Sequence, residues 1–271
     1  MRMGSPVSNR PILQIQDLAF RYEDGPPVLD GIDLNIDPGT IIGIVGPSGC
    51  GKSTLLSLIA GITQSTGGTI EWAIDAGSRH PISMMFQADT LLPWMTVNDN
   101  VGLHYKLIAR KDRPTKAKQH QRTESLIKLA GLAGSEEKYP YQLSGGMRRR
   151  TAFLAAVTPG PRTLLLDEPF SSLDEPTRIS IHQDAYDVLR REQVTTILIT
   201  HDLAEALSLC DRVIVMTARP AKVFKTFDVP FGMDRQMLPL RKEPEFLKLY
   251  GEVWEQLASQ IQRAANAGVA K

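Results

Sequence analysis

The sequence predicts an α/β domain organised around a mostly parallel sheet. Three observations carry that prediction. Continuous apolar runs rich in branched residues recur at TIIGIVG (40–46), TLLLD (163–167), TTILIT (195–200) and RVIVMTA (212–218), the pattern of strands buried on both faces. Stretches with helical spacing lie between them, above all SSLDEPTRISIHQDAYDVLRRE (171–192) and DLAEALSLC (202–210). A glycine-rich turn, GPSGCGKST (46–54), joins the first buried run to the helix-like LLSLIAGI (55–62). With 271 residues, 42% of them apolar and 23% charged, the chain is long enough to bury a sizeable core.

The remaining elements follow in order. Residues 1–11 are expected to be a disordered tail. LQIQDLAFRY (13–22) alternates as a strand, DGPPVLDG (24–31) is turn-rich, and IDLNID (32–37) is a second strand ending at Pro38-Gly39. TGGTIEWAI (66–74) and PISMMFQ (81–87) are further strands. Residues 96–130 are expected to be helical, with RKDRPTKAKQHQR (110–122) a solvated linker between helices. In EPEFLKLYGEVWEQL (243–257), Phe246, Leu247, Leu249, Tyr250, Val253, Trp254 and Leu257 follow helical spacing, which predicts a helix packed on the domain.

Composition excludes several classes. A net charge of +1 gives no global pull toward nucleic acid or lipid, so no nucleic-acid partner is expected. Only Cys50 and Cys210 occur, one of them inside the glycine turn, which argues against a disulfide framework. No run of 18 uncharged apolar residues occurs, and MRMGSPVSNRPI lacks the apolar centre of a secretion signal, so the expected compartment is the cytosol.

The glycine turn fits G-x-x-x-x-G-K-[ST] in full, from Gly46 through Pro47, Ser48, Gly49, Cys50, Gly51 and Lys52 to Ser53, with Thr54 following. Glycines at these places let backbone N–H groups close around phosphate oxygens, and the helix beginning near Lys52 adds its N-terminal dipole. Lys52 is expected on the β- and γ-phosphates of ATP and Ser53 on Mg²⁺. The run Leu164-Leu165-Leu166 ends in Asp167-Glu168-Pro169. Asp167 is placed to order Mg²⁺ through water, and Glu168 to polarise an attacking water as general base.

Tyr141-Gln142-Leu143-Ser144-Gly145-Gly146-Met147, followed by Arg148, resembles the signature of ABC-type ATPases. Other elements of that family stand in order around it. Gln87 looks like the Q-loop glutamine, a further Mg²⁺ contact; Ser172-Leu173-Asp174 looks like the D-loop; His201 looks like the switch histidine; and Tyr22 looks like the aromatic that stacks on adenine. The resemblance covers about residues 12–220. It implies a P-loop NTPase with a mostly parallel core sheet, an antiparallel β subdomain and a helical signature subdomain at about 90–150, followed by a short helical extension over 221–271. It further implies a head-to-tail dimer with a second copy, ATP lying between the phosphate loop of one copy and Ser144, Gly145 and Gly146 of the other. Two positions depart from the family pattern: Arg149 stands where glutamine is usual, and Ala155 where arginine is usual. Both bear on the geometry of the signature helix and on the rate of hydrolysis, while the residues at the phosphate, Mg²⁺ and base positions are all present.

Within the family, Leu91-Leu92-Pro93-Trp94 and Ala218-Arg219-Pro220 resemble the nitrate, sulfonate and taurine importer branch. That branch implies integral membrane permease subunits, a solute-binding protein acting indirectly, and a peripheral position on the cytoplasmic face of the inner membrane. Gln87 and residues 88–98 would couple nucleotide state to the permease, with Trp94 either a wall of the permease groove or ordinary packing within its subdomain. The alternatives are an exporter ATPase, or a soluble ABC ATPase acting on DNA or ribosomes. The chain carries neither the long coiled-coil insertion nor the second domain of the soluble types.

Overall fold

The computed structural model describes residues 10–73, 82–88, 90–171 and 174–269. The chain begins with β1 (Leu13–Arg21), β2 (Pro27–Ile36), β3 (Ile41–Val45), α1 (Lys52–Ile59), β4 (Gly67–Trp72) and β5 (Ile82–Met85). A helical stretch follows: α2 (Val97–Val101), α3 (Leu103–Leu107), α4 (Lys116–Leu129) and α5 (Gly145–Val157). The chain then alternates through β6 (Thr163–Asp167), α6 (Glu175–Glu192), β7 (Thr195–Ile199), α7 (Leu203–Leu209), β8 (Arg212–Met216) and β9 (Val223–Asp228), and ends in α8 (Met237–Leu240) and α9 (Pro244–Val269).

Six strands form the main sheet in the order β5-β6-β7-β3-β8-β9, parallel except for β9, which runs antiparallel to β8. A smaller antiparallel sheet, β2-β1-β4, shares a core with it. The buried strands owe their unbroken apolar runs to having two covered faces. Ile42, Ile44 and Leu165 pack with α1 and the small sheet, whereas Ile41, Val45, Leu164 and Leu166 pack with α5, α6, α7 and α9. Each such side chain, fully buried, contributes about 1.5–3 kcal/mol.

Three expectations need correction. The turn-rich segment 24–31 is largely strand, since β2 begins at Pro27. Proline is tolerated there because it opens an edge strand, where its missing N–H removes no ladder bond. The basic patch 110–122 is no linker throughout: α4 starts at Lys116, where the Thr115 hydroxyl accepts from the Lys118 N–H at 3.4 Å. Its buried residues, Thr123, Leu126 and Ile127, and the half-buried Leu129 all lie beyond its first two turns, which carry no sequence sign of burial. The sheet also runs past residue 220, because β9 adds a sixth strand before the helical extension begins. The expected tail falls almost wholly outside the described residues, as do Ser172, Leu173 and Asp89.

Candidate active site

Four neighbouring parallel strands deliver the predicted residues to one edge of the sheet. The phosphate loop follows β3, Asp167 ends β6 with Glu168 directly after it, His201 follows β7, and Gln87 follows β5. All lie at carboxyl ends, where open α/β sheets gather their ligands.

The loop itself is built on its glycines. Gly51 has φ +126°, and a Cβ there would meet Val28 Cγ1 at 2.9 Å and Leu29 Cδ2 at 3.0 Å, so only glycine lets α1 start against β2. Lys52 is buried and folds back on its own loop: Nζ donates to the carbonyls of Gly46 at 2.9 Å and Pro47 at 3.0 Å. Ser48, Gly49 and Ser53 are exposed, whereas Pro47 and Cys50 are buried. Burial raises the Cys50 thiol pKa, with Lys52 opposing. Tyr22 is 57% exposed, its ring edge-on to Phe20 and its hydroxyl 3.3 Å from Thr54 Oγ1.

The Ser53 hydroxyl donates to Asp167 Oδ1 at 3.1 Å. Burial raises the Asp167 pKa; the Ser53 hydrogen bond and Lys52 pull it down, and the neighbouring Glu168 pushes it up. Two side chains meet on a single oxygen of Glu168. Gln87 Nε2 donates to Oε2 at 3.1 Å, and His201 Nδ1 lies 3.2 Å from the same atom. Glu168 has φ +45°, a left-handed conformation unusual for a glutamate and of the kind that concentrates at functional sites. Its N–H donates to the Ile199 carbonyl at 2.9 Å, which ties this turn to β7.

The signature residues stand on another element. Ser144 caps α5, its hydroxyl accepting from the Met147 N–H at 3.2 Å. Ser144 and Gly145 are exposed, and Gly146 is buried against α6. Among the described residues, no hydrogen bond of Ser144 reaches the phosphate loop of the same chain. Trp94 is 69% exposed, so most of its ring is left uncovered by its own chain.

Two residues of the site were not singled out as builders by the sequence. Asn100 is buried, and its amide bonds Leu92 N and the carbonyls of Leu92, Met95 and Thr96 at 2.8–3.2 Å, fixing the loop that presents Trp94. Arg149, conspicuous only as a departure from the family pattern, is buried and donates to the backbone carbonyls of Gln87 and Glu168.

With this geometry in hand, comparison with known proteins is informative. The ABC transporter family model matches residues 29–171. The aliphatic sulfonates import ATP-binding protein SsuB 1 of Rhodococcus jostii is 42% identical over 214 residues, spanning 78% of this chain and 82% of that protein. The nitrate import ATP-binding protein NrtC of Synechococcus elongatus is 39% identical over 235 residues, 86% of this chain and 35% of that longer protein. The dimeric post-hydrolysis structure of the ATP-binding cassette MJ0796, bound to ADP and Pi, superposes with a TM-score of 0.68 at 26% identity, covering 81% of this chain and all of that one. The chain therefore belongs to the ABC transporter family, as one of its ATP-binding members.

Proposed function

We propose that this chain hydrolyses ATP to drive an importer, powering uptake of a small solute of the nitrate, sulfonate or taurine type through a separate membrane permease. The catalytic part rests on the convergence of Gln87 and His201 on Glu168 Oε2. With Oε2 accepting from Gln87 and facing His201 Nδ1, the carboxylate is oriented to take the proton of an attacking water as general base. Lys52 would leave the carbonyls of Gly46 and Pro47 for the β- and γ-phosphates, an exchange of one set of oxygens for another. Tyr22 offers an exposed ring to adenine.

Mg²⁺ fits the residues present. The Ser53 hydroxyl and a half-buried Asp167 carboxylate, held 3.1 Å apart, form the oxygen set that ion prefers, and Gln87, bonded to Glu168 beside them in sequence, is the further candidate. A carboxylate that burial makes costly to ionise gains most from a cation. Held by Ser53 and Asp167, the ion would supply positive charge to offset the negative charge that develops on the phosphates.

Exposed Ser144 and Gly145 at the start of α5, with Gly146 behind them, suit the γ-phosphate held by a second copy in a head-to-tail dimer. The dimeric form of MJ0796 supports that assembly. No helix among the described residues is long and apolar enough to cross a membrane, so transport needs permease subunits, and a solute-binding protein would supply them. Phe86, Trp94 and Leu107 are exposed apolar side chains in the segment after β5, where a permease would dock. The position that follows is peripheral, at the cytoplasmic face of the inner membrane.

The test combines one variant with one isolation. Glu168→Gln should keep ATP binding, lose turnover by about 10²–10⁴-fold and accumulate an ATP-bound dimer on gel filtration. Tagged chain drawn from detergent-solubilised membranes should carry a multi-span permease. Turnover like wild type removes Glu168 from the chemistry, and a clean soluble dimer removes the importer.

A further inference from the structure

Arg149 departs from the glutamine usual at its place in the family, and the structure gives that departure a job. The residue lies in the second turn of α5, with only 5% of its surface exposed. Its Nη2 donates to the Gln87 carbonyl and lies 3.5 Å from the Glu168 carbonyl. Gln87 follows β5 and Glu168 follows β6, and these two strands pair directly. One guanidinium thus joins three things: the helix that begins with Ser144 and Gly145, the loop carrying Gln87, and the turn carrying Glu168. The Glu168 carbonyl also accepts from Ser171 Oγ at 3.3 Å, so the turn with φ +45° is held from both sides.

We propose that Arg149 is a positioning residue that fixes Gln87 and Glu168 relative to each other and ties both to the signature helix. Chemistry favours arginine for this. A guanidinium is planar, permanently charged and carries five donors in a rigid fork, whereas a glutamine amide offers two uncharged donors on a shorter arm. Arg149 touches no reacting atom. It acts through backbone carbonyls, setting where Gln87 Nε2 and Glu168 Oε2 meet. When Ser144 engages the nucleotide of the second copy, any shift of α5 passes through Arg149 to the Glu168 of the same chain. This inference rests on the reading of Glu168 as general base.

The experiment measures ATP turnover of Arg149→Met, Arg149→Lys and Arg149→Gln against ATP concentration. Binding of a fluorescent ATP analogue and thermal unfolding are followed on the same samples. Arg149→Met should lose kcat by about 10- to 100-fold, the scale of an ångström-sized misplacement. Analogue affinity should stay within about threefold, and Arg149→Lys should recover part of kcat because it keeps a charged donor. Should the methionine variant fail to fold, the lysine and glutamine variants carry the same comparison, with kcat falling and affinity retained. Undiminished kcat in a folded methionine or glutamine variant overturns the proposal. So does a fall in kcat matched by equal losses of affinity and melting temperature, which marks a structural residue only. Glu168→Gln is assayed in parallel. If it remains active, the base reading and this inference fail together; if it is dead while Arg149→Met is fully active, only this inference fails.

Discussion

Asp167, proposed above to hold Mg²⁺, carries an electrostatic cost that a cation would offset. Burial raises its pKa, against the pull of the Ser53 hydroxyl and Lys52. A carboxyl whose folded pKa exceeds its unfolded value contributes stability below the unfolded pKa and loses it as pH rises through the folded one. Wherever the group is ionised in both states, its charge costs stability in the absence of a cation. Asp167→Asn keeps an oxygen for Ser53 and removes the charge. The expected outcome is a melting temperature raised by about 1–3 °C at pH 7.5 without nucleotide, with the difference vanishing near pH 4. Mg²⁺-dependent turnover should be lost in the same variant. Calorimetry across that pH range checks the first part, and a variant that melts below wild type at pH 7.5 contradicts it.

At the scale of elements, adjacent residues of one motif do different work. A Cβ on Gly146 would meet Thr177 Cγ2 at 2.8 Å and Ile181 Cδ1 at 3.3 Å. Thr177 cannot simply rotate away, because its hydroxyl donates to Asp174 Oδ2 at 2.9 Å. Gly146→Ala should therefore push α5 from α6 and cost about 1–3 kcal/mol in urea unfolding. Ser144→Arg places its bulk on an exposed cap instead. It should cost only about 1 kcal/mol for the lost cap, yet block the ATP-bound dimer and turnover. If both variants unfold alike, the division of labour is wrong. The contrast also marks what the sequence could and could not disclose. The spacing of LSGGM and of GPSGCGKST was legible because a backbone that must approach phosphate admits few residues. The four strands TIIGIVG, TLLLD, TTILIT and RVIVMTA were legible because two buried faces leave no polar alternation. What stayed hidden depends on tertiary partners. β2 starts at a proline only an edge position tolerates, the first turns of α4 face solvent, and the aim of Arg149 is set by carbonyls 62 and 19 residues away.

The whole molecule is closed from its far end. The segment after β9 places Met237, Leu240, Phe246, Val253 and Leu257 in the same core as Leu203 and Val213, so α8 and α9 cover one face of the main sheet. The spacing of α9 was read as packing, and its residues divide: Phe246, Val253 and Leu257 are buried, while Leu247 and Trp254 face outward. Arg235 fastens this segment. Only 3% exposed, it donates to the carbonyls of Gly232 at 2.8 Å, Ser208 at 3.1 Å and Cys210 at 2.8 Å, and lies 3.3 Å from Asp211. Truncation would leave the carbonyls at the end of α7 without these donors in a dry interior, where each loss is costly. Arg235→Ala should lower stability by roughly 2–3 kcal/mol in urea unfolding, the range for hydrogen bonds to a charged donor. Leu247→Ser, on the exposed side of the same segment, should change it by less than about 0.5 kcal/mol. Equal midpoints for Arg235→Ala and wild type would show that residues 231–269 rest on a core that does not need them; the expected gap would show that the extension is a structural part of the ATPase.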